Sequence, residues 1–598
     1  MQFAVLLQCY QPLPPFGPCR LGGRLAEKGG TQVSEVLETI FGLIGGLALF
    51  LYGMNQMSEA LQKAAGDKMK QVLSFLTKNP LMGALAGALV TAVLQSSSAT
   101  TVMAIGFVSA GLMTLPQAIS IIFGANIGTT VTAQLLAFKI SNYIYPIIFI
   151  GFILNFVSKK EKVKSIGTVI FSFGLLFEGI EIMGGVMKPL ASSPVFTDLM
   201  GMVSNIPILG VLLGMVMTLV VQSSSATIAV LQNFASQPAA DGVSSVIGLT
   251  GAIPILLGDN IGTTITALLA SIGQSKNAKR TAVAHSVFNI SGSVVFLFLI
   301  PWFAKFVEFI SPKGIEIEII SRQIANAHMC FNIAVTLVWL PLLPLMVKIV
   351  KFIIPGEDEN EVGALEVRFL DNNVLGQPTA ALSLAVNEIR RCANNAVSML
   401  RALTSEFSGQ GGSEQYFESE YNTVKYLQEQ ISEYITRLFT GGALTEQQAG
   451  QAAGLLYVSN NIERVADRCG EINETVTGLK TNGKALSEAA STEVTEYFES
   501  ATQLFEDAME ALEEGNQPKA ASVTDDREGL RKLEKKLHRA HLARVESKVC
   551  DASLTPDFNE ILYNLDRIAD NCATIAEEAK ENLSFKDLDI TAENAEKA

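Results

Sequence analysis

The sequence predicts an all-α protein: a polytopic membrane half of two inverted repeats, followed by a soluble half of tandem three-helix bundles. Three observations carry this. Up to about Pro355 the chain is apolar and Gly-rich, and beyond it charged and helical in pattern. The hexapeptide Gln95-Ser96-Ser97-Ser98-Ala99-Thr100 returns intact as Gln222-Ser223-Ser224-Ser225-Ala226-Thr227. In the second half, Asn461-Ile462-Glu463-Arg464-Val465-Ala466-Asp467 is answered by Asn564-Leu565-Asp566-Arg567-Ile568-Ala569-Asp570.

The 598 residues are 49% hydrophobic and 17% charged, and the net charge of −14 argues against a nucleic-acid partner. Seven scattered cysteines show neither metal spacing nor a secreted disulfide framework. Residues 1–38 read as a leader outside the fold. Met1 to Leu7 is apolar but too short to span, and Pro12, Pro14, Pro15 and Pro18 follow without the basic start of a signal peptide. The expectation is translated upstream sequence, with a start at Val33 from a valine codon.

The membrane half, 39–355, repeats more than its hexapeptide. Pro80, Gly83, Gly87 and Thr91 precede Gln95 by the same intervals at which Pro207, Gly210, Gly214 and Thr218 precede Gln222. Gly124-Ala125-Asn126-Ile127-Gly128-Thr129-Thr130 is matched by Gly258-Asp259-Asn260-Ile261-Gly262-Thr263-Thr264. Upstream, Leu49 to Gly53 with Met57 is echoed by Leu175 to Gly179 with Met183. Packed glycines alone are ordinary in membrane helices. Three motifs in one order mark a duplicated unit, with repeats at about 40–157 and 166–303.

Loop charge sets the orientation, since Lys and Arg flank the cytoplasmic ends of spans. Lys63 to Lys78, Lys159 to Lys164, Lys276 to Arg280, and Lys348 with Lys351 form basic stretches, whereas 192–205 and 237–245 carry no Lys or Arg. One topology fits them: a span at 40–61, a re-entrant hairpin at 80–113 entered from inside, and spans at 118–137, 143–157 and 166–188. A second hairpin at 207–235 is entered from outside, and spans at 246–272, 283–303 and 325–352 follow. The hairpins then meet head-on, in the arrangement of secondary carriers. The bland alternative is ordinary spans that contain serines.

Four consecutive polar residues facing lipid would cost several kcal/mol, so they face protein, water or ligand. At a broken helix the free N–H groups favour an anion, while hydroxyl and carbonyl oxygens suit a hard cation such as sodium. Neither hairpin core holds Lys or Arg, so an anion there would be balanced by co-bound cations. Asp259, whose counterpart is Ala125, is a candidate cation ligand or charge-coupling site; the alternative is a carboxylate bonded to nearby backbone. Glu178 and Glu181 lie within a span. His285 and His328, in two Ala-His-x-x-Phe-Asn motifs, read as helix-bridging core residues.

These duplicated motifs resemble the bacterial members of the type II sodium–phosphate cotransporter family over about 39–354. The resemblance implies sodium-dependent transport of inorganic phosphate by alternating access, with membrane lipid around the carrier and no enzymatic activity. It places phosphate and sodium at Gln95, Ser96, Ser97, Ser98, Gln222, Ser223, Ser224 and Ser225, with Thr100, Asn126, Asn260 and Thr264 added. A dicarboxylate-type carrier is the alternative; such carriers do not duplicate the motif with a preceding Gln.

After a polar linker at 356–376, punctuation at 409–413, 440–445, 481–484, 515–518 and 551–556 predicts six long helices over 377–585, then a tail at 586–598. Glu463 with Asp467, and Asp566 with Asp570, stand at i and i+4 on one helix face, where both acids of a pair can reach one cation. This half resembles a PhoU-like regulatory domain. The resemblance implies a divalent or iron-type metal on those four acids, in a cytoplasmic domain of a bacterial inner-membrane protein. The competing reading pairs them with Arg464 and Arg567. A signalling protein with a membrane anchor is the other functional class, disfavoured because both hairpins keep every serine.

Overall fold

The structure, a computed structural model, describes residues 27–65, 79–191, 202–203, 205–239, 241–356, 365–408, 414–441, 444–581 and 583–590. Parts of the leader, of the loops at 63–78 and 192–205, of the linker and of the tail lie outside the described residues.

Helix α1 (Glu27–Ala65) starts well before position 39, so the expected leader contributes its first turns. A broken pair follows, α2 (Pro80–Leu94) and α3 (Ser97–Ser109), then α4 (Leu115–Leu136), α5 (Ile144–Val157) and α6 (Glu161–Ala191). The second repeat gives the broken pair α7 (Pro207–Val221) and α8 (Ser224–Ala235), then α9 (Gly248–Gly262) and α10 (Thr264–Ala270). Helix α2 is 15 residues long, about 22 Å, and cannot cross a hydrocarbon core of about 30 Å. Each short pair therefore folds back as a hairpin.

The repeats run in opposite directions. A Cβ added at Gly53 would sit 2.8 Å from the Ser172 carbonyl, and one at Gly179 2.5 Å from the Gly46 carbonyl. Gly53 and Gly179 hold equivalent places, as do Gly46 and Ser172, so the contact between α1 and α6 is two-fold. Rising numbers on α1 meet falling numbers on α6, which makes them antiparallel. Within each repeat, Gly87 lies flush on the Ile121 carbonyl and Gly214 on the Ile255 carbonyl, where a Cβ would come within 2.2 and 1.9 Å. Only glycine permits backbones that close.

Helices α11 (Lys276–Ile310) and α12 (Glu316–Trp339) close the membrane half. The expected last span at 325–352 is not one helix. It breaks at Pro341, and α13 (Leu343–Ile353) leaves α12 at 86°. Proline withdraws a backbone donor and clashes with the preceding turn. Helix α13 then buries Leu343, Met346 and Val350 and exposes Leu345 and Phe352.

The two ends of this half differ. At one, Ser109 donates to Gln274 at 2.6 Å and Arg280 donates through Nε to the Ile354 carbonyl at 3.0 Å. The basic stretch 276–280 and the soluble domain lie there. At the other, Ser245 N donates to Glu316 at 3.2 Å and Arg322 to Gln134 at 2.6 Å. Hairpin 1 (α2–α3) has its α3 end at the first, and hairpin 2 (α7–α8) its α8 end at the second.

The soluble half has the six expected helices: α14 (Pro378–Phe407), α15 (Glu414–Thr440), α16 (Glu446–Thr481), α17 (Glu488–Glu514), α18 (Gln517–Glu546) and α19 (Thr555–Lys580). Both bundles share one apolar core, including Ile389, Ile462, Phe505 and Ile568. The expected tail is partly built in, since Asp589 takes Arg390 at 2.5 Å. Nor is the linker a plain tether: Val374, Ala380 and Leu384 share an apolar cluster with Met103 and Phe107 of hairpin 1.

Candidate functional site

Each hexapeptide makes the same break. Gln95 and Gln222 end α2 and α7 in the left-handed region, at φ 53° and 54°. For a residue with a Cβ that conformation costs roughly 1–2 kcal/mol. Ser96 and Ser223 then cap α3 and α8, each accepting from a backbone N–H three residues on at 3.2 Å. Across each break a threonine pair closes the hairpin, Thr91 to Thr100 at 2.8 Å and Thr218 to Thr227 at 3.0 Å.

The two breaks face one cavity of about 310 Å³. Gln95, Ser96, Ser97 and Ser98 line it from one hairpin, Gln222, Ser223, Ser224 and Ser225 from the other, and Met54, Asn55 and Ser58 from α1. Among the described residues, none that lines it is charged. It thus receives two helix N-termini, whose N–H groups favour an anion, and two helix C-termini, whose carbonyls suit a cation. One of those carbonyls, on Leu94, already accepts from Ser58 at 2.5 Å.

The hairpins are not equivalent in detail. Gln95 is buried and accepts from Thr132 at 2.8 Å, whereas Gln222 is exposed to the cavity. Thr266, which matches Thr132 in the second repeat, donates to Ser98 of the first hairpin at 3.0 Å. Sequence motifs alone do not mark Thr132 and Thr266 as site residues. A trace exists nonetheless, because both motifs extend to Gly-Thr-Thr-x-Thr.

The other predicted residues stand behind the cavity wall. Asp259 is fully buried and accepts from Thr218 at 2.6 Å, while its Oδ2 has no partner among the described residues. Asn126 donates to the Ile122 carbonyl at 2.8 Å and accepts from Asn289 at 3.3 Å. Asn260 meets His328 Nε2 at 3.3 Å, so that histidine does bridge helices. Thr100 is spent on Thr91, and Thr264 donates to the Ile261 carbonyl at 2.8 Å.

The four acids of the soluble half already hold internal cations. Lys425 Nζ lies 3.0 Å from Glu463 and 2.8 Å from Asp467. Arg527 Nη2 lies 2.9 Å from Asp566 and 2.6 Å from Asp570. Burial pulls the Lys425 ammonium down, but its bonds to Asp467 and Glu463 outweigh that and raise it. Arg567 reaches Asp570 at 3.0 Å. Among the described residues no group of three or more His, Cys, Asp or Glu could hold a metal ion, so this donor set does not fit a metal centre.

Two oppositely directed repeats whose broken hairpins share a polar cavity define a carrier-type, multi-pass membrane protein. The Na+/Pi-cotransporter family matches residues 49–185 and 186–312, and the PhoU domain matches 494–579. An uncharacterized protein of Bacillus subtilis, YqeW, is 35% identical over 266 residues, 44% of this chain and 84% of that protein. A putative inorganic phosphate export protein of Salmonella typhimurium, YjbB, is 24% identical over 512 residues, 85% of this chain and 91% of that one. The sodium-dependent phosphate transport protein 2A of Rattus norvegicus is 35% identical over 147 residues, 23% of this chain and 22% of its own. No solved structure matches. The chain belongs to the Na+/Pi-cotransporter family, whose members transport phosphate and are not enzymes.

Proposed function

We propose that this chain moves inorganic phosphate together with sodium by alternating access, across the inner membrane of a bacterium. The observation that carries the reading is the single uncharged cavity lined by both Gln-Ser-Ser-Ser breaks. Phosphate is held there by the N-termini of α3 and α8 and by serine hydroxyls, with no basic side chain to fix it. Its charge must be offset by cations that arrive with it, and Gln95 and Gln222, each a donor and an acceptor, can touch both. Asp259, which the first repeat lacks, supplies a carboxylate against hairpin 2 and acts on the cation side. Asn126, Asn260, Thr100 and Thr264 shape the hairpins from behind.

The soluble domain lies on the cytoplasmic face and regulates the carrier. Its side of the membrane half carries the basic stretch 276–280, as cytoplasmic ends do. The purified full-length chain tests the site directly through its melting temperature. Phosphate raises Tm in sodium buffer, by the linkage of ligand to the folded state, and not in potassium buffer. Equal shifts in the two buffers contradict sodium coupling.

A further inference from the structure

Among the described residues the soluble domain grips hairpin 1 and not hairpin 2, through a short contact. A turn at Asp371 to Gln377 leads into α14. Its Gln377 Nε2 donates to the Ala99 carbonyl at 2.6 Å, a backbone oxygen inside the first hexapeptide. Seven residues further along α3, Gly106 lies beneath the same turn. A Cβ there would meet Val374 Cγ2 at 2.8 Å and Asp371 Oδ2 at 2.9 Å. The turn is itself fastened to the bundles, because the Tyr434 hydroxyl of α15 donates to the Asp371 carbonyl at 3.3 Å. Asp371 Oδ1 accepts from Asn373 N at 2.9 Å, while Oδ2 is buried without a partner among the described residues.

The second repeat shows what this face of a hairpin does otherwise. Position 106 corresponds to Asn233, and Asn233 donates to the Ile180 carbonyl of α6 at 2.8 Å. Hairpin 2 thus uses that face to pack inside the membrane half. Hairpin 1 carries glycine there and gives the face to the soluble domain. The repeats have diverged at the point where the domain sits.

We propose that the turn Asp371–Gln377 is a joint that positions hairpin 1, so that α3 and its hexapeptide move only when the joint opens. This rests on the phosphate-carrier reading and adds where regulation acts. Alternating access needs each hairpin to shift against its surroundings, and α3 cannot shift while Gln377 holds Ala99 and Val374 fills the space over Gly106. The bundles set the rate of the carrier through this contact. The unpartnered Asp371 oxygen weakens the joint, since a buried acceptor without a donor is unfavourable.

Two arms test it on the full-length chain. Gly106→Cys with Val374→Cys places the Cβ atoms within disulfide range. Oxidising this pair in proteoliposomes should lower phosphate flux about tenfold, and reduction should restore it. Gln377→Ala should raise the maximal rate and leave the KM for phosphate unchanged, a split that a general loss of stability would not produce. Flux that is indifferent to oxidation, or a Gln377→Ala protein slower than the parent, overturns the joint. The second arm needs no transport. Met103→Cys, buried at the contact, should resist a soluble maleimide in the parent and react about tenfold faster when Gly106→Val is added. Equal reactivity also overturns the proposal, whereas a parent that moves no phosphate but shows the labelling difference counts against the phosphate reading alone.

Discussion

Thr218 donates its hydroxyl to Asp259 Oδ1 at 2.6 Å and stands 3.0 Å from Thr227, so a carboxylate that the first repeat lacks is wired to the closing clasp of hairpin 2. In hairpin 1, Thr91 makes the same clasp with Thr100, but Ala125 stands where the acid would be. Charge at the carrier's centre is therefore one-sided. Asp259→Asn keeps an acceptor for Thr218 and should melt within a few degrees of the parent. It should nonetheless lose the sodium dependence of phosphate flux, while a merely structural acid would be replaced without effect. Flux against sodium concentration in proteoliposomes separates the two.

The two glutamines should fail differently. Gln222→Ala removes an amide exposed to the cavity, so flux should fall at least about tenfold with little change in Tm. Gln95→Ala leaves Thr132 unpaired in a buried site, at roughly 1–3 kcal/mol, so it should lose flux and also melt several degrees lower. Near-normal flux in either variant would make the repeats packing elements.

Lys425 and Arg527 already neutralise the paired acids of the soluble domain. Manganese or iron should therefore leave the Tm of the parent unchanged, and dialysis against a chelator should not lower it. Lys425→Ala removes the cation shared by Glu463 and Asp467, leaving Asp467 bonded to the Tyr421 hydroxyl, and its Tm should rise on adding manganese. A metal-dependent Tm in the parent would show that the acids prefer a metal to their internal cations.

Topology follows from where the loops gather. A cysteine placed at Asp241, in the exposed loop after α8, should react with an impermeant thiol reagent on intact cells, and one at Lys160 only after permeabilisation. Ser193, the other expected outer position, lies outside the described residues. Equal labelling of both would undo the inverted arrangement.

The breaks, the inversion and the six soluble helices were legible because each leaves a local mark: polar residues in an apolar run, glycines at fixed intervals, turn clusters between periodic stretches. The bend at Pro341 was not, since the apolar run continues through it to Val347 and hydropathy does not register direction. Lys425 and Arg527, which bridge the two acid pairs, come from α15 and α18, out of reach of reasoning along one helix. The pairing of Arg567 with Asp570 within α19, by contrast, is legible from their spacing. The grip on hairpin 1 left a trace in the difference between Gly106 and Asn233, but only the placed domain says what the glycine makes room for.

Radiolabelled phosphate flux in proteoliposomes is the most direct measurement of the central claim. With an imposed sodium gradient the reconstituted chain should move phosphate in the direction the gradient favours, and replacing sodium by choline should abolish that movement. A protein that is inserted and folded yet moves phosphate equally with and without sodium, or moves none under any gradient, would contradict the account.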